Sequence, residues 1–125
     1  MRARRRFVLV VLLLGAATLC AAAGYDWHVM VPEKARAREN PLASDPQAAV
    51  AGAKLFAQHC AQRHGHDATG RAGKPNLHSE RVRMATPGEL EWLLTNGSLR
   101  NGMPSWSRLP EPQRWQIVTY LKSLQ

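Results

Sequence analysis

The stretch Phe56-Ala57-Gln58-His59-Cys60-Ala61-Gln62-Arg63-His64-Gly65 decides how the rest of this chain is interpreted. Cys60 and His64 are four residues apart, so on one helical turn their side chains share a face. That spacing lets a sulfur reach the edge of a large flat cofactor while an imidazole reaches its metal. Alone, such a cysteine would be a small buried hydrophobe and such a histidine a surface residue. Together they make this turn the candidate cofactor site.

Three short helices are predicted around this stretch. Asp45 can cap the first, with Pro46 in its first turn and an apolar stripe that reaches Phe56. The second begins at Thr86, because Thr86-Pro87-Gly88-Glu89 is a capping box with proline at the first position. The third begins around Glu111 and runs to the end of the chain, with an apolar face made of Trp115, Val118, Leu121 and Leu124. No segment alternates with a period of two for long enough to be a strand, so the fold class is all-α.

The loop between the first two helices is a second sign of a cofactor. Residues 65–85 form a connection of about 20 residues, which is unusual inside a compact domain unless something fills it. Three short helices also offer too little apolar surface to hold such a loop. A large flat cofactor at the centre would solve both problems.

From these residues onward the chain resembles class I cytochrome c, over roughly residues 46–125. The resemblance implies a fold of three main short helices with long loops wrapped around one haem. It also implies that the first helix, which contains Gly52 and Phe56, packs on the last helix near Tyr120.

The same resemblance implies the roles of four residues. His64 and Met103 would ligate the haem iron, with Met103 supplied by the loop Asn101-Gly102-Met103-Pro104 and Met84 as the fallback. The carbonyl group of Pro75 would accept the Nδ1–H of His64 and so orient the ring. Cys60 would carry a thioether. With both axial positions filled, the implied role is electron transfer rather than enzymatic catalysis.

Arg63 departs from the family pattern. The family attaches haem through Cys-x-x-Cys-His, and here the second cysteine position holds Arg63. Haem attached through Cys60 alone, haem bound without a covalent link (b-type) and no haem at all therefore remain open. The alternative function is a degenerate cytochrome domain that acts without haem as a protein-binding or structural module. A peroxidase-like or gas-binding haem would need an open iron position, and a zinc site at Cys60 fits no common ligand spacing.

The N-terminus has the layout of an export signal. Arginines precede an uncharged run over residues 7–25, and small residues end it at Ala23. Residues 1–23 are predicted to be a signal peptide or an N-terminal membrane anchor, because the run is also just long enough to span a bilayer. Residues 24–45, which are polar and rich in proline, are predicted to be a linker, and residues 46–125 the haem domain. Either way the domain is expected in the periplasm or on the outer face of the cytoplasmic membrane.

The charge balance indicates the kind of partner. The net charge is +8, and the leader has four arginines, so much of the basic character belongs to the leader. Basic residues also outnumber acidic ones across the loop of residues 63–83, which suits docking to an acidic redox partner such as a periplasmic or membrane dehydrogenase or oxidase. Nucleic acid is not expected as a partner, because no aromatic residues interleave with these charges. With Cys20 in the leader, a disulfide scaffold is excluded.

Overall fold

The computed structural model describes residues 25–125, and the predicted signal peptide or anchor lies outside this part of the chain. The described residues are all-α, with three main helices, as the sequence predicted. The helices are α1 (Glu33–Arg36), α2 (Pro46–His59), α3 (Ala61–His64), α4 (Glu80–Met84), α5 (Pro87–Asn96) and α6 (Glu111–Ser123), with 3-10 helices at Trp27–Met30 and Leu99–Asn101. Between residues 25 and 125, no helix is long and apolar enough to cross a membrane.

The starts of the three main helices follow their local chemistry. Asp45 caps α2 by accepting a hydrogen bond from the backbone N–H of Gln47 (2.9 Å). Thr86 and Glu89 form the predicted capping box at α5, because each side chain accepts a hydrogen bond from the backbone N–H of the other residue (3.1 and 2.7 Å). Helix α6 begins at Glu111 with a proline in its first turn. These three predictions are confirmed.

Helices α2 and α6 pack directly against each other and form the centre of the fold. A Cβ atom added at Gly52 would lie 1.9 Å from the carbonyl oxygen of Gln116, so only glycine permits this approach of the two helices. One turn later, the rings of Phe56 and Tyr120 have their centroids 5.3 Å apart. This is the contact expected from the cytochrome resemblance. The core around it includes Cys60, Leu90, Leu94, Trp106, Trp115, Ile117 and Val118.

Within residues 24–45, the predicted linker, the described residues make contacts with the main helices. Arg36 pairs with Glu89 of α5, and Arg38 pairs with Glu91 of α5 (3.0 Å). The amide of Asn40 donates a hydrogen bond to the hydroxyl of Thr119 in α6 (2.8 Å). The segment is therefore packed onto two of the main helices. Sequence patterns miss such packing because it depends on polar pairs distant in sequence, which leave no apolar periodicity.

Candidate cofactor site

Cys60 and His64 lie on a single turn, as their spacing predicted. Helix α2 ends at His59, and Cys60 is the junction between α2 and α3. The backbone N–H of His64 donates to the carbonyl oxygen of Cys60 (2.9 Å), which keeps the two residues one helical turn apart. Gly65 ends the turn with φ of +83°, a conformation that favours glycine.

The Cys60 side chain is buried in the core and is a free thiol. Burial raises the pKa of this thiol to about 11, because an apolar surrounding disfavours the thiolate. At neutral pH the side chain is therefore a protonated thiol, placed one turn before His64.

The half-buried His64 ring is oriented by a backbone carbonyl. Its Nδ1 lies 3.1 Å from the carbonyl oxygen of Pro75, and since a carbonyl can only accept, Nδ1 carries the proton. Burial lowers the pKa of His64, and the charges of Arg63 and Lys74 lower it further, while the bond to Pro75 opposes this shift. The result is a neutral imidazole whose Nε2 keeps its lone pair for a ligand.

The loop that carries Pro75 is braced by its own backbone. The N–H of Gly70 donates to the carbonyl oxygen of His64 (2.7 Å), and the N–H of Leu77 donates to that of Ala68 (2.8 Å). The Nε2 atom of the His78 ring lies 2.7 Å from the carbonyl oxygen of Asp67. These bonds fold the loop back on itself and bring the Pro75 carbonyl to His64.

Met103 lies in a second short loop, which has the shape of a tight hairpin. Its backbone N–H and C=O both pair with those of Ser98 (3.0 and 2.9 Å). Gly102 precedes it in the left-handed conformation (φ +77°), and the Met103 side chain is partly buried against the core. Met84, the fallback ligand, is instead exposed at the end of α4.

Arg63 joins these two parts of the site. Its guanidinium group donates a hydrogen bond to the carbonyl oxygen of Gly102, across 39 residues of sequence. The His64 turn and the Met103 loop are therefore neighbours in space. In the sequence, Arg63 is a departure from a motif and part of the basic loop, and no local signal indicates its contact with Gly102.

These features are those of a cytochrome c domain: the arrangement of the helices, and a thiol, an oriented imidazole and a thioether in neighbouring segments. Residues 47–121 match the family described as cytochrome c oxidase, cbb3-type, subunit III, and the chain belongs to this family.

Two known proteins show how far the similarity extends. The cbb3-type cytochrome c oxidase subunit CcoP of Rubrivivax gelatinosus is 35% identical over 118 residues, which cover 79% of this chain and 39% of that protein. The chain thus spans well under half of the length of that relative. The crystal structure of cytochrome cL from the marine methylotroph Methylophaga aminisulfidivorans matches with a TM-score of 0.60 and 27% identity, over 68% of this chain and 58% of that one. The fold is therefore that of cytochrome c.

Because the family implies a haem, the described residues can be tested for their fit to one. His64 offers an imidazole nitrogen with its tautomer fixed, and Met103 offers a thioether from the neighbouring loop. Cys60 offers one thiol on the same turn as the imidazole. This donor set fits a haem with one covalent link at most.

Proposed function

We propose that this chain is an electron carrier that binds one haem through His64 and Met103. The observation that carries the proposal is the hydrogen bond from His64 Nδ1 to the Pro75 carbonyl, on the same turn that holds the Cys60 thiol. This bond fixes the tautomer and the orientation of the His64 ring and leaves its Nε2 as the atom that can bind a metal. The Met103 loop, tied to this turn by Arg63, supplies the second candidate ligand.

Each residue has a distinct role in this proposal. The Nε2 of His64 and the sulfur of Met103 would bind the haem iron, and Pro75 would orient the His64 ring. Cys60 forms a single thioether, or else the haem is held without a covalent link. When bound, the haem supplies reversible one-electron chemistry, and two neutral axial ligands favour a raised potential. Because His64 and Met103 would both bind the iron, no ligand position would be left for a substrate, which separates this role from that of a haem enzyme.

The family and the charge of the chain support the location and the partner in this proposal. Residues 1–23 are a signal peptide or a membrane anchor, so the chain is exported. It works in the periplasm or on the outer face of the cytoplasmic membrane. It exchanges electrons with a redox protein such as a dehydrogenase or an oxidase. An oxidase is supported by the relative in Rubrivivax gelatinosus, which is an oxidase subunit. The basic loop over residues 63–83 suits an acidic docking face on that partner.

A second candidate function is favoured by Arg63. Its bond to the Gly102 carbonyl ties the His64 turn to the Met103 loop through protein groups alone. A domain stabilised in this way could keep its fold without haem and act as a protein-binding or structural module. This candidate predicts a folded, colourless protein.

The deciding experiment is expression of the full chain in a periplasm that contains haem maturation factors, followed by its denatured mass and its visible spectrum. A mass one haem above the polypeptide indicates a thioether through Cys60, and colour lost on denaturation indicates a non-covalent carrier. A colourless folded protein rejects the electron carrier and leaves the structural module.

Matched variants test the two ligands. Met103→Leu is expected to abolish the absorption of methionine-ligated ferric haem, whereas Met84→Leu, at an exposed methionine, is expected to leave it unchanged. His64→Ala is expected to abolish haem binding in its native coordination, and His66→Ala, at an exposed histidine two residues away, to preserve it. If each pair of variants behaves alike, the ligand assignment is wrong.

A further inference from the structure

One face of the domain, formed by the segment that begins at Tyr25 and the segment that precedes Met103, carries several exposed apolar side chains and partly exposed aromatic ones. A cavity of about 240 Å³ opens there, and its lining includes Tyr25, Trp27, Met30, Trp92, Leu99 and Arg100. Around it, Val29 and Leu99 are each 75% exposed and Met30 is 52% exposed. These are three of the five large hydrophobic side chains exposed in residues 25–125. We call this surface, made of residues 25–30 and 97–100 with Trp92, the Tyr25 face.

Two segments far apart in sequence are held together to make this face. The amide of Asn101 donates a hydrogen bond to the carbonyl oxygen of Tyr25 (2.9 Å). The guanidinium carbon of Arg100 lies 4.9 Å from the centre of the Tyr25 ring, in the geometry of a cation–π contact. The apolar side chains of both segments are therefore presented as one ordered surface rather than as two independent loops.

The position of this face in the chain indicates what covers it. Residues 7–24 contain no charged side chain, and Tyr25, the next residue, lines the cavity. Tyrosine and tryptophan prefer the boundary between lipid and water, and an arginine beside them can bind a lipid phosphate. The acidic residue of this segment, Asp26, is paired with Arg81 (2.8 Å), so its charge does not oppose an anionic surface. The residue types thus match a lipid headgroup layer, at the point where the chain enters its longest apolar run.

We propose that the Tyr25 face rests on the phospholipid headgroups of the membrane that residues 7–24 enter. The occupant is the lipid surface itself, contacted by Leu99, Met30 and Val29 and by the Arg100 guanidinium. This inference rests on the alternative of the proposed function in which residues 1–23 are a membrane anchor, and it does not depend on haem. It orients the domain: Leu99 and Arg100 belong to the loop that ends in Met103, so this loop faces the membrane surface.

The test uses the full chain reconstituted in nanodiscs of phosphatidylethanolamine and phosphatidylglycerol that contain a phospholipid with a photoactivatable headgroup. After illumination, labelling is measured in tryptic peptides. Peptide 84–100, which contains Trp92 and Leu99, is decisive, because it is remote in sequence from the apolar run. Peptide 39–54, which contains the exposed Val50, is the internal control. We expect several-fold more labelling of peptide 84–100 than of peptide 39–54.

Two matched variants sharpen the result. Leu99→Asp should reduce the labelling of peptide 84–100 several-fold, whereas Val50→Asp, at another exposed apolar residue, should leave it unchanged. Equal labelling of the two peptides overturns the proposal, as does labelling confined to residues 7–34. If Leu99→Asp weakens the binding of a protein partner while the lipid labelling of peptide 84–100 is no higher than that of peptide 39–54, the face binds a protein and the proposal is wrong. The visible spectrum of the same sample separates this outcome from a failure of haem binding.

Discussion

Arg36→Ala is the substitution that best tests whether residues 26–45 are a structural part of the domain. Arg36 pairs with Glu89, whose side chain is only 4% exposed, whereas that of Arg36 is 37% exposed. Thr86 Oγ1 also donates to the carbonyl oxygen of Arg36 (2.8 Å), so this residue is joined to the start of α5 twice. Removing the guanidinium leaves the Glu89 carboxylate buried with fewer partners.

The size of the effect follows from what Glu89 retains. Removing one partner of a buried ion pair costs about 3–5 kcal/mol, because the remaining charge is not compensated. Glu89 still accepts the backbone N–H of Thr86 (2.7 Å) and lies 3.6 Å from the His28 ring. These contacts offset part of the loss, so we expect a destabilisation of about 2–3 kcal/mol. For a domain of this size that lowers the Tm by roughly 10 °C or more.

The control is Arg83→Ala. Arg83 pairs with Glu80 three residues earlier (3.3 Å), and both side chains are largely exposed. Such a pair contributes about 0.5 kcal/mol or less, since solvent screens it. Both variants are measured in the full chain by chemical denaturation and by proteolysis within residues 26–45. Equal losses for the two variants, or unchanged cleavage in Arg36→Ala, would refute the conclusion that this segment is held by its pair with Glu89.

Three further predictions concern the helix contact and the site. Gly52→Ala should destabilise the domain, because the added Cβ would lie 1.9 Å from the Gln116 carbonyl oxygen. Overpacking costs about 1–3 kcal/mol, which outweighs a gain in helix propensity of about 1 kcal/mol. A raised denaturation midpoint would contradict this prediction. In the haem-free chain, Cys60 should be alkylated slowly at pH 8 while the chain is folded and quickly once it is unfolded, because burial raises the pKa of the thiol to about 11. Peptide mass spectrometry measures both alkylation rates. Equal rates would refute the prediction. Arg63→Cys creates the motif Cys-x-x-Cys-His and should allow a second thioether in a host that contains haem maturation factors. The second thioether is detected as a shift in the visible absorption of the haem after the protein is denatured in pyridine. An unchanged absorption would show that Arg63 is not what limits attachment.

The sequence by itself determined the three main helices and where they begin. Asp45, Thr86 and Glu89 act on backbone groups within three residues of themselves, so their effect can be inferred from short stretches of sequence. The same holds for Cys60 and His64, whose relation is one helical turn. The cytochrome resemblance added the pairing of His64 with Pro75, and their atoms lie 3.1 Å apart, 11 residues apart in sequence.

Only the tertiary structure decided which distant polar groups meet. Arg36 reaches Glu89 across 53 residues, and Arg63 reaches Gly102 across 39. The Tyr25 face likewise exists because Asn101 and Arg100 meet Tyr25 across about 75 residues. A chain with 17 basic residues offers many possible partners for each acidic group, and no periodicity selects among them. The selection is made by the packing of the helices and loops in three dimensions, which decides which segments are neighbours and so which charges can approach each other.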